Sequence, residues 1–399
     1  MRYEKVNGGL GFVLLVYAAS RLFYLGAGAL LAALVPVSSF HRVASDMPFG
    51  TMNLWAHWDG EHYVHLAADG YLQPPENVSP AFFPLYPFLI RSFAELFGGP
   101  HSYGALSLYG VLISLLALPF ALYFVYRIAE DGWGTRVAQG AVLTLAFFPT
   151  SFFFNAAYTE SLFLALSAGS LWAVRVRRDL LLACALAGLA TATRNVGVFL
   201  LVPLAYEWFK NVGHYRWRGA YLALTPSGLV LYASYLWWRF GDPLLFYTEQ
   251  KNWGRKATGP LRTLHNVWEA ARDGAAWLFE PGLRAEPSLG NLADHLGEAT
   301  GAFGLAFLVL AVVLLIAGVR VLPPDLGVYA FLLVIPPALF GTAGNPLMGL
   351  PRYVLVAFPM FIVLGALLKR TPYLVGWLIL SATVSLVPCA LFVTWRFVA

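Results

Sequence analysis

"GLGFVLLVYAASRLFYLGAGALLAALV" occupies residues 9–35 and carries one charged side chain, Arg21. As a helix this run would extend about 40 Å at 1.5 Å per residue, enough to cross the ~30 Å hydrocarbon core of a bilayer. It is too long for the apolar core of a secretory signal, and no convincing cleavage site precedes its exit, so it reads as a retained span. The whole chain repeats the theme. Of 399 residues, 59% are hydrophobic and 12% charged, with a mean hydropathy of +0.66. An ordinary soluble domain is about a quarter charged.

Apolar runs mark about eleven spans: 9–35, 103–127, 136–153, 158–174, 179–193, 196–209, 219–240, 301–319, 326–341, 352–368 and 372–395. The expected architecture is all-α and membrane-embedded, one domain over 1–399 with two long polar segments, 36–102 and 241–300. No internal repeat or flexible linker divides it. Cys184 and Cys389 fall inside expected spans, which excludes a disulfide framework. The net charge of +5 speaks to orientation rather than to nucleic acid. "RVRRD" (175–179), "KNVGHYRWR" (210–218), "KR" (369–370), Arg127 with Arg136, and Arg2 with Lys5 share one side, the cytoplasmic one. Both long segments then lie outside.

That parity isolates Arg194 in "TATRNVG" and Arg352 in "GLPRYVL", basic residues on the disfavoured side. Two readings stay open: the side chains snorkel to headgroups, or they meet an anion. Arg21 is the charge inside the first span and normally would face protein or a wet cavity. No Asp or Glu falls near the middle of a span, which counts against an ion-coupled transporter.

Outward from the first span lies "LWAHWDGEHYVHLAADGY" (54–71), with three histidines, two carboxylates and two tryptophans between residues 55 and 65. "HWDGEH" is one residue longer than the H-x-x-E-H zinc arrangement, so its ligands would not share the required helical face. A surface helix explains much of the stretch: Asp59 as N-cap, Gly70 as C-cap, and Tyr63, Leu66 and Ala67 as an apolar stripe suited to a membrane surface. A carboxylate at such a helix start can still face a cavity, with His62 on the same face. "AFFPLYPFLIR" (81–91) follows, aromatic and proline-rich, leading into an amphipathic helix with Pro87 in its first turn.

Together these segments resemble the PIG-V family of mannosyltransferases, in which W-D-x-x-H-(F/Y) is followed by G-Y and then F-F-P-x-x-P. The matching residues are Trp58, Asp59, His62, Tyr63, Gly70, Tyr71, Phe82, Phe83, Pro84 and Pro87. "NAAYTESLFLAL" (155–166), "ATRNVGVFL" (192–200) and "LPRYVLVAFPMFI" (350–362) continue the match in the family's order. The resemblance implies the GT-C architecture, with an essential acid in the first outer loop. It also implies inverting transfer of mannose, or a similar hexose, from a polyprenyl (dolichyl) phosphate to a lipid- or glycan-linked acceptor. The compact loops suggest a prokaryotic relative acting at the extracytoplasmic face of the cell membrane.

Such a reaction needs a base for the acceptor hydroxyl and cations for the departing phosphate. Asp59 suits the base. Arg194 and Arg352 suit the phosphate, because guanidinium matches its oxygens and keeps its charge, with Arg21 a further contributor. His62, Glu160, Trp58 and Tyr63 are assigned to the acceptor sugar as hydrogen-bonding or stacking groups. With arginines at hand, neither a metal nor a cofactor is required. A flippase for lipid-linked sugars is the rival reading, since it shares the lipid groove and arginines but needs no base. The segment 241–300 carries no part of this resemblance and is where acceptor choice is expected to reside.

Overall fold

The computed structural model describes residues 2–38, 51–72, 79–99, 102–257, 259–277, 288–342 and 345–398. The sequon-like "NVSP" (77–80) and parts of both long polar segments lie partly outside the described residues. Helix dominates, as the apolar runs require: a chain in lipid must satisfy its backbone internally. In order the helices are α1 (Arg2–Leu34), α2 (Asp59–Asp69), α3 (Leu85–Leu96), α4 (Tyr103–Trp133), α5 (Thr135–Ala146), α6 (Glu160–Arg175), α7 (Leu180–Thr193), α8 (Leu201–Lys210) and α9 (Ser227–Phe240). Beyond them come α10 (Pro260–Trp277), α11 (Leu289–Glu298), α12 (Thr300–Val321), α13 (Pro324–Ala338), α14 (Leu350–Val356), α15 (Pro359–Leu367) and α16 (Thr371–Val393). One short antiparallel pair, β1 (Lys256–Ala257) with β2 (Phe340–Gly341), is the sheet among the described residues.

Helices occupy all the expected spans, but their lengths differ from the expectation. Among the described residues, Gly9–Leu34, Tyr103–Trp133, Thr300–Val321 and Thr371–Val393 are long and apolar enough to cross a membrane. Taken together, α14 and α15 are also apolar and long enough for one crossing, though bent by 76° at their junction. The bend follows from Pro359, which opens α15 and has no N–H to give the preceding turn. Elsewhere an expected span is a short helix joined to 3₁₀ turns: α5 stops at Ala146 before the turn Ser151–Asn155, and the span expected over 196–209 opens with the turn Asn195–Leu200 before α8, while α7 ends at Thr193 as expected. Eleven full-length crossings are therefore not what the helices display. An apolar run reports that a segment is buried in lipid or protein, and does not reveal where its helix breaks.

The breaks are chemically furnished. Ending α5 strands carbonyls in an apolar interior, and the Arg21 guanidinium reaches them from α1. It donates to the Ala146 carbonyl at 3.2 Å, the Ser151 carbonyl and Oγ at 3.0 Å each, and Asn155 Oδ1 at 2.6 Å. Hydroxyls serve other junctions: Ser114 Oγ donates to the Tyr158 carbonyl at 3.0 Å and Ser170 Oγ to the Ala183 carbonyl at 2.8 Å. Small residues allow close packing, as lipid-embedded helices prefer. A Cβ on Gly140 of α5 would sit 3.0 Å from the Gly365 Cα of α15, so the two backbones touch there.

The stripe on α2 does not lie on a membrane surface. Tyr63, Val64, Leu66 and Ala67 pack with Tyr86, Ile90 and Ala94 of α3 and with Leu106 and Ile113 of α4. A three-helix contact buries that stripe more completely than headgroups would, so α2 closes one end of the bundle. The opposite end is fixed by the C-terminus of α6, about 22 Å away along a helix of this length. There Arg175 pairs with Asp325 and, at 3.2 Å, with Glu207. The "RVRRD" loop and the residues singled out in 54–71 thus stand at opposite ends of the bundle.

Candidate active site

Asp59 is the first residue of α2 and not its cap. The cap position belongs to Trp58, whose backbone is left-handed at φ 57° and whose side chain caps nothing. Tyr158 holds this strained corner, its hydroxyl accepting from the Asp59 N–H at 3.2 Å and donating to the His57 carbonyl at 3.1 Å. The carboxylate is thereby released from the helix amides and meets a cation. Arg352 Nη1 donates to Asp59 Oδ2 at 2.5 Å, while Nε of the same guanidinium donates to Glu160 Oε1 at 2.7 Å. Arg194 Nη1 donates to that Glu160 oxygen at 2.8 Å.

Each member comes from an interruption in the helical pattern. Glu160 opens α6, Arg194 is the extended residue between α7 and its 3₁₀ continuation, and Arg352 lies on the short half of the bent crossing. Aromatic faces bracket the cations. Arg352 lies over the Tyr158 ring at 4.5 Å and Arg194 over Tyr353 at 5.1 Å. Glu160 is fully buried, and its second oxygen, Oε2, has no hydrogen-bond partner. Removing one partner from such a buried pair typically costs about 3–5 kcal/mol. Asp59 is the accessible member, with 35% of its side chain exposed. Burial alone would raise its pKa, but Arg352, His62 and Arg255 outweigh it and hold the carboxyl below the usual range.

A cavity of about 280 Å³ opens on this network. Asp59, Arg194, Arg255, Arg352 and Gln250 supply its polar end; Val196, Phe199, Pro336, Pro337, Phe340 and Met348 form apolar walls. Of the residues singled out in the sequence, Asp59, Tyr63, Arg194 and Arg352 line it. Glu160 stands behind, bonded to both arginines. His62 stacks on Phe82 at 4.8 Å beside Asp59, and burial lowers its imidazole pKa against the pull of that carboxylate. Trp58 points away, edge-on to Phe397 at 5.5 Å. His57 is drawn off separately, with Nδ1 3.0 Å from the Phe392 carbonyl and the ring stacked on Trp395 at 4.0 Å. The histidines of "HWDGEH" thus serve different partners.

Arg21 stands apart from this group. Its donors are taken up by the α5 break, and it does not line the cavity. A charge inside a span satisfied stranded carbonyls there, a role an anion-binding expectation overlooked. The converse omission is Arg255, in "NWGRKATG" (252–259). Its segment is brought to the cavity by the β1–β2 pair, whose register sets Lys256 against Gly341. The charge asymmetry that exposed Arg194 and Arg352 is a short-loop signal, and Arg255 lies in a long segment where it is weak. Tyr353, within the matched segment 350–362, also lines the cavity, as does Gln250, which carried no distinguishing signal in the sequence.

A family model described as mannosyltransferase (PIG-V) matches residues 2–225. GPI mannosyltransferase 2 of Drosophila pseudoobscura pseudoobscura is 35% identical over 112 residues, which are 27% of this chain and 24% of that protein. The aligned region thus spans about a quarter of that relative's length. Among solved structures, ArnT from Cupriavidus metallidurans bound to undecaprenyl phosphate superposes with a TM-score of 0.51 at 16% identity. That superposition covers 93% of this chain and 62% of ArnT. The likeness establishes a shared GT-C fold. With the family model matching more than half of its length, including Asp59, Glu160 and Arg194, the chain belongs to the PIG-V mannosyltransferase family.

Proposed function

We propose that this protein is an inverting glycosyltransferase that moves a mannose, or a similar hexose, from a polyprenyl phosphate to a hydroxyl of a lipid- or glycan-linked acceptor. The observation that carries the reading is the pairing of Asp59 with Arg352 at the polar end of a cavity that also has apolar walls. The acceptor oxygen attacks the anomeric carbon as its proton passes to an Asp59 oxygen. The bond from that carbon to the phosphate oxygen breaks, and its electron pair leaves with the phosphate. Attack opposite the leaving group inverts the centre. Arg352 and Arg194 face the developing phosphate charge, and stabilisation of this kind is worth roughly 3–4 kcal/mol per donor.

Pairing with Arg352 keeps Asp59 ionised, the state a base requires, though a weakly basic one. Tyr63 and His62 remain the assigned acceptor contacts, and the apolar walls would take the isoprenoid. We place the reaction at the extracytoplasmic face of a prokaryotic plasma membrane, on the side opposite the basic loops, within a single catalytic domain. ArnT, solved with undecaprenyl phosphate, supports the lipid class through the shared fold.

Purified protein supplied with polyprenyl phosphomannose and candidate acceptors should release polyprenyl phosphate in step with acceptor glycosylation, and should do so in excess chelator. Movement of the intact donor between leaflets of a vesicle, with no release, would replace the transferase by a flippase.

A further inference from the structure

Two carboxylates and three guanidiniums meet at the polar end of the cavity, and the pairing among them is uneven. Arg352 is held by Asp59 and Glu160, and Arg194 by Glu160. Arg255 makes no ion pair with any carboxylate among the described residues. Its Nη2 lies 3.5 Å from the Met348 carbonyl, a distance at which little hydrogen-bond energy remains. The guanidinium rests over Gly349, where a Cβ would stand 3.4 Å from Nη2 and 3.2 Å from the Tyr353 ring. Gly349 itself is left-handed at φ 84°, a conformation glycine adopts without strain. Tyr353 therefore stands between Arg255 on one side and Arg194 on the other.

We infer that Arg255 is the principal phosphate-binding cation of the cavity, supplied by a segment beyond the family-matched region. The two network arginines are neutralised by their acids, so the one charge left over belongs to Arg255. An incoming phosphate monoanion balances that charge without displacing either acid. A planar guanidinium that no carboxylate among the described residues holds suits the geometry of phosphate oxygens. The β1–β2 pair fixes the segment to the chain just after α13, which holds the side chain over the cavity rather than in solvent.

The identity of the ligand as a polyprenyl phosphate rests on the function proposed above; the anion site rests on the charges of the cavity. A binding titration with four probes separates them: a polyprenyl monophosphate, its alcohol, a short-chain prenyl monophosphate and that alcohol. The wild type should prefer each phosphate over its alcohol. Arg255→Gln should lose roughly ten- to a hundredfold of that preference while keeping its preference for the long chain. Arg255→Lys should recover part of the loss. An unchanged phosphate preference in a folded Arg255→Gln protein, judged by its thermal transition, would overturn the inference. So would a wild type indifferent to phosphate. A wild type that prefers phosphate but ignores chain length would sink the polyprenyl reading and leave Arg255 in place.

Discussion

At Arg352 a single guanidinium answers two carboxylates, and this sets the state of each. Asp59 is kept anionic and partly exposed; Glu160 is sealed and spends itself on geometry. Two residues along α2 stands a carboxylate with the opposite fate. Burial pushes Glu61 up to about 7 from 4.5, with no cation opposing it, and its buried Oε1 has no partner. Between these two values the folded protein holds a proton that the unfolded chain has lost. Stability from Glu61 is therefore greatest at low pH and declines as pH rises through about 7. Thermal midpoints measured from pH 5 to 8 should fall less steeply in Glu61→Gln than in the wild type. Parallel curves would show that Glu61 titrates as it does in water. Legibility at this scale followed charge. Asp59, Arg194 and Arg352 stood out because ionised groups are rare in such a chain, whereas the buried, positioning role of Glu160 depended on partners 34 and 192 residues away.

Among the elements, the interrupted helices carry the chemistry. An uninterrupted span presents only side chains to its neighbours, but a break frees backbone groups and turns a terminus toward the interior. Such breaks need compensation in an apolar setting, since a buried unsatisfied carbonyl costs about 1–3 kcal/mol. Arg21 supplies it for the end of α5, bonding two carbonyls together with Ser151 and Asn155. Arg21→Leu should accordingly lower stability by on the order of 3 kcal/mol. In whatever fraction folds, affinity for the donor phosphate should be unchanged. Lost donor affinity at full stability would return Arg21 to the anion site. The helices were legible from apolar periodicity and run length. The break at Arg194 was legible as the gap between two runs, but those near Pro149 and Pro359 were not, because these prolines sit inside runs whose hydropathy continues across them.

Across the whole molecule, charge sits at two ends of an apolar bundle: the basic loops with the Arg175–Asp325 pair at one, and the Asp59–Arg352–Glu160–Arg194 network at the other. The membrane class and the family were readable in the sequence, since both reside in composition and local motifs. The cavity was not, because its walls come from 59–83, 193–199, 246–255 and 336–353, joined only by the fold. The central claim is that this cavity transfers a sugar with Asp59 as base. Asp59→Asn keeps the size of the side chain and leaves the arginines in place, so the folded variant should bind polyprenyl phosphomannose. Its amide cannot take the acceptor's proton, and turnover, followed as polyprenyl phosphate released with acceptor present, should fall roughly 10²–10⁴-fold. A folded Asp59→Asn protein that releases polyprenyl phosphate at close to the wild-type rate would contradict the account.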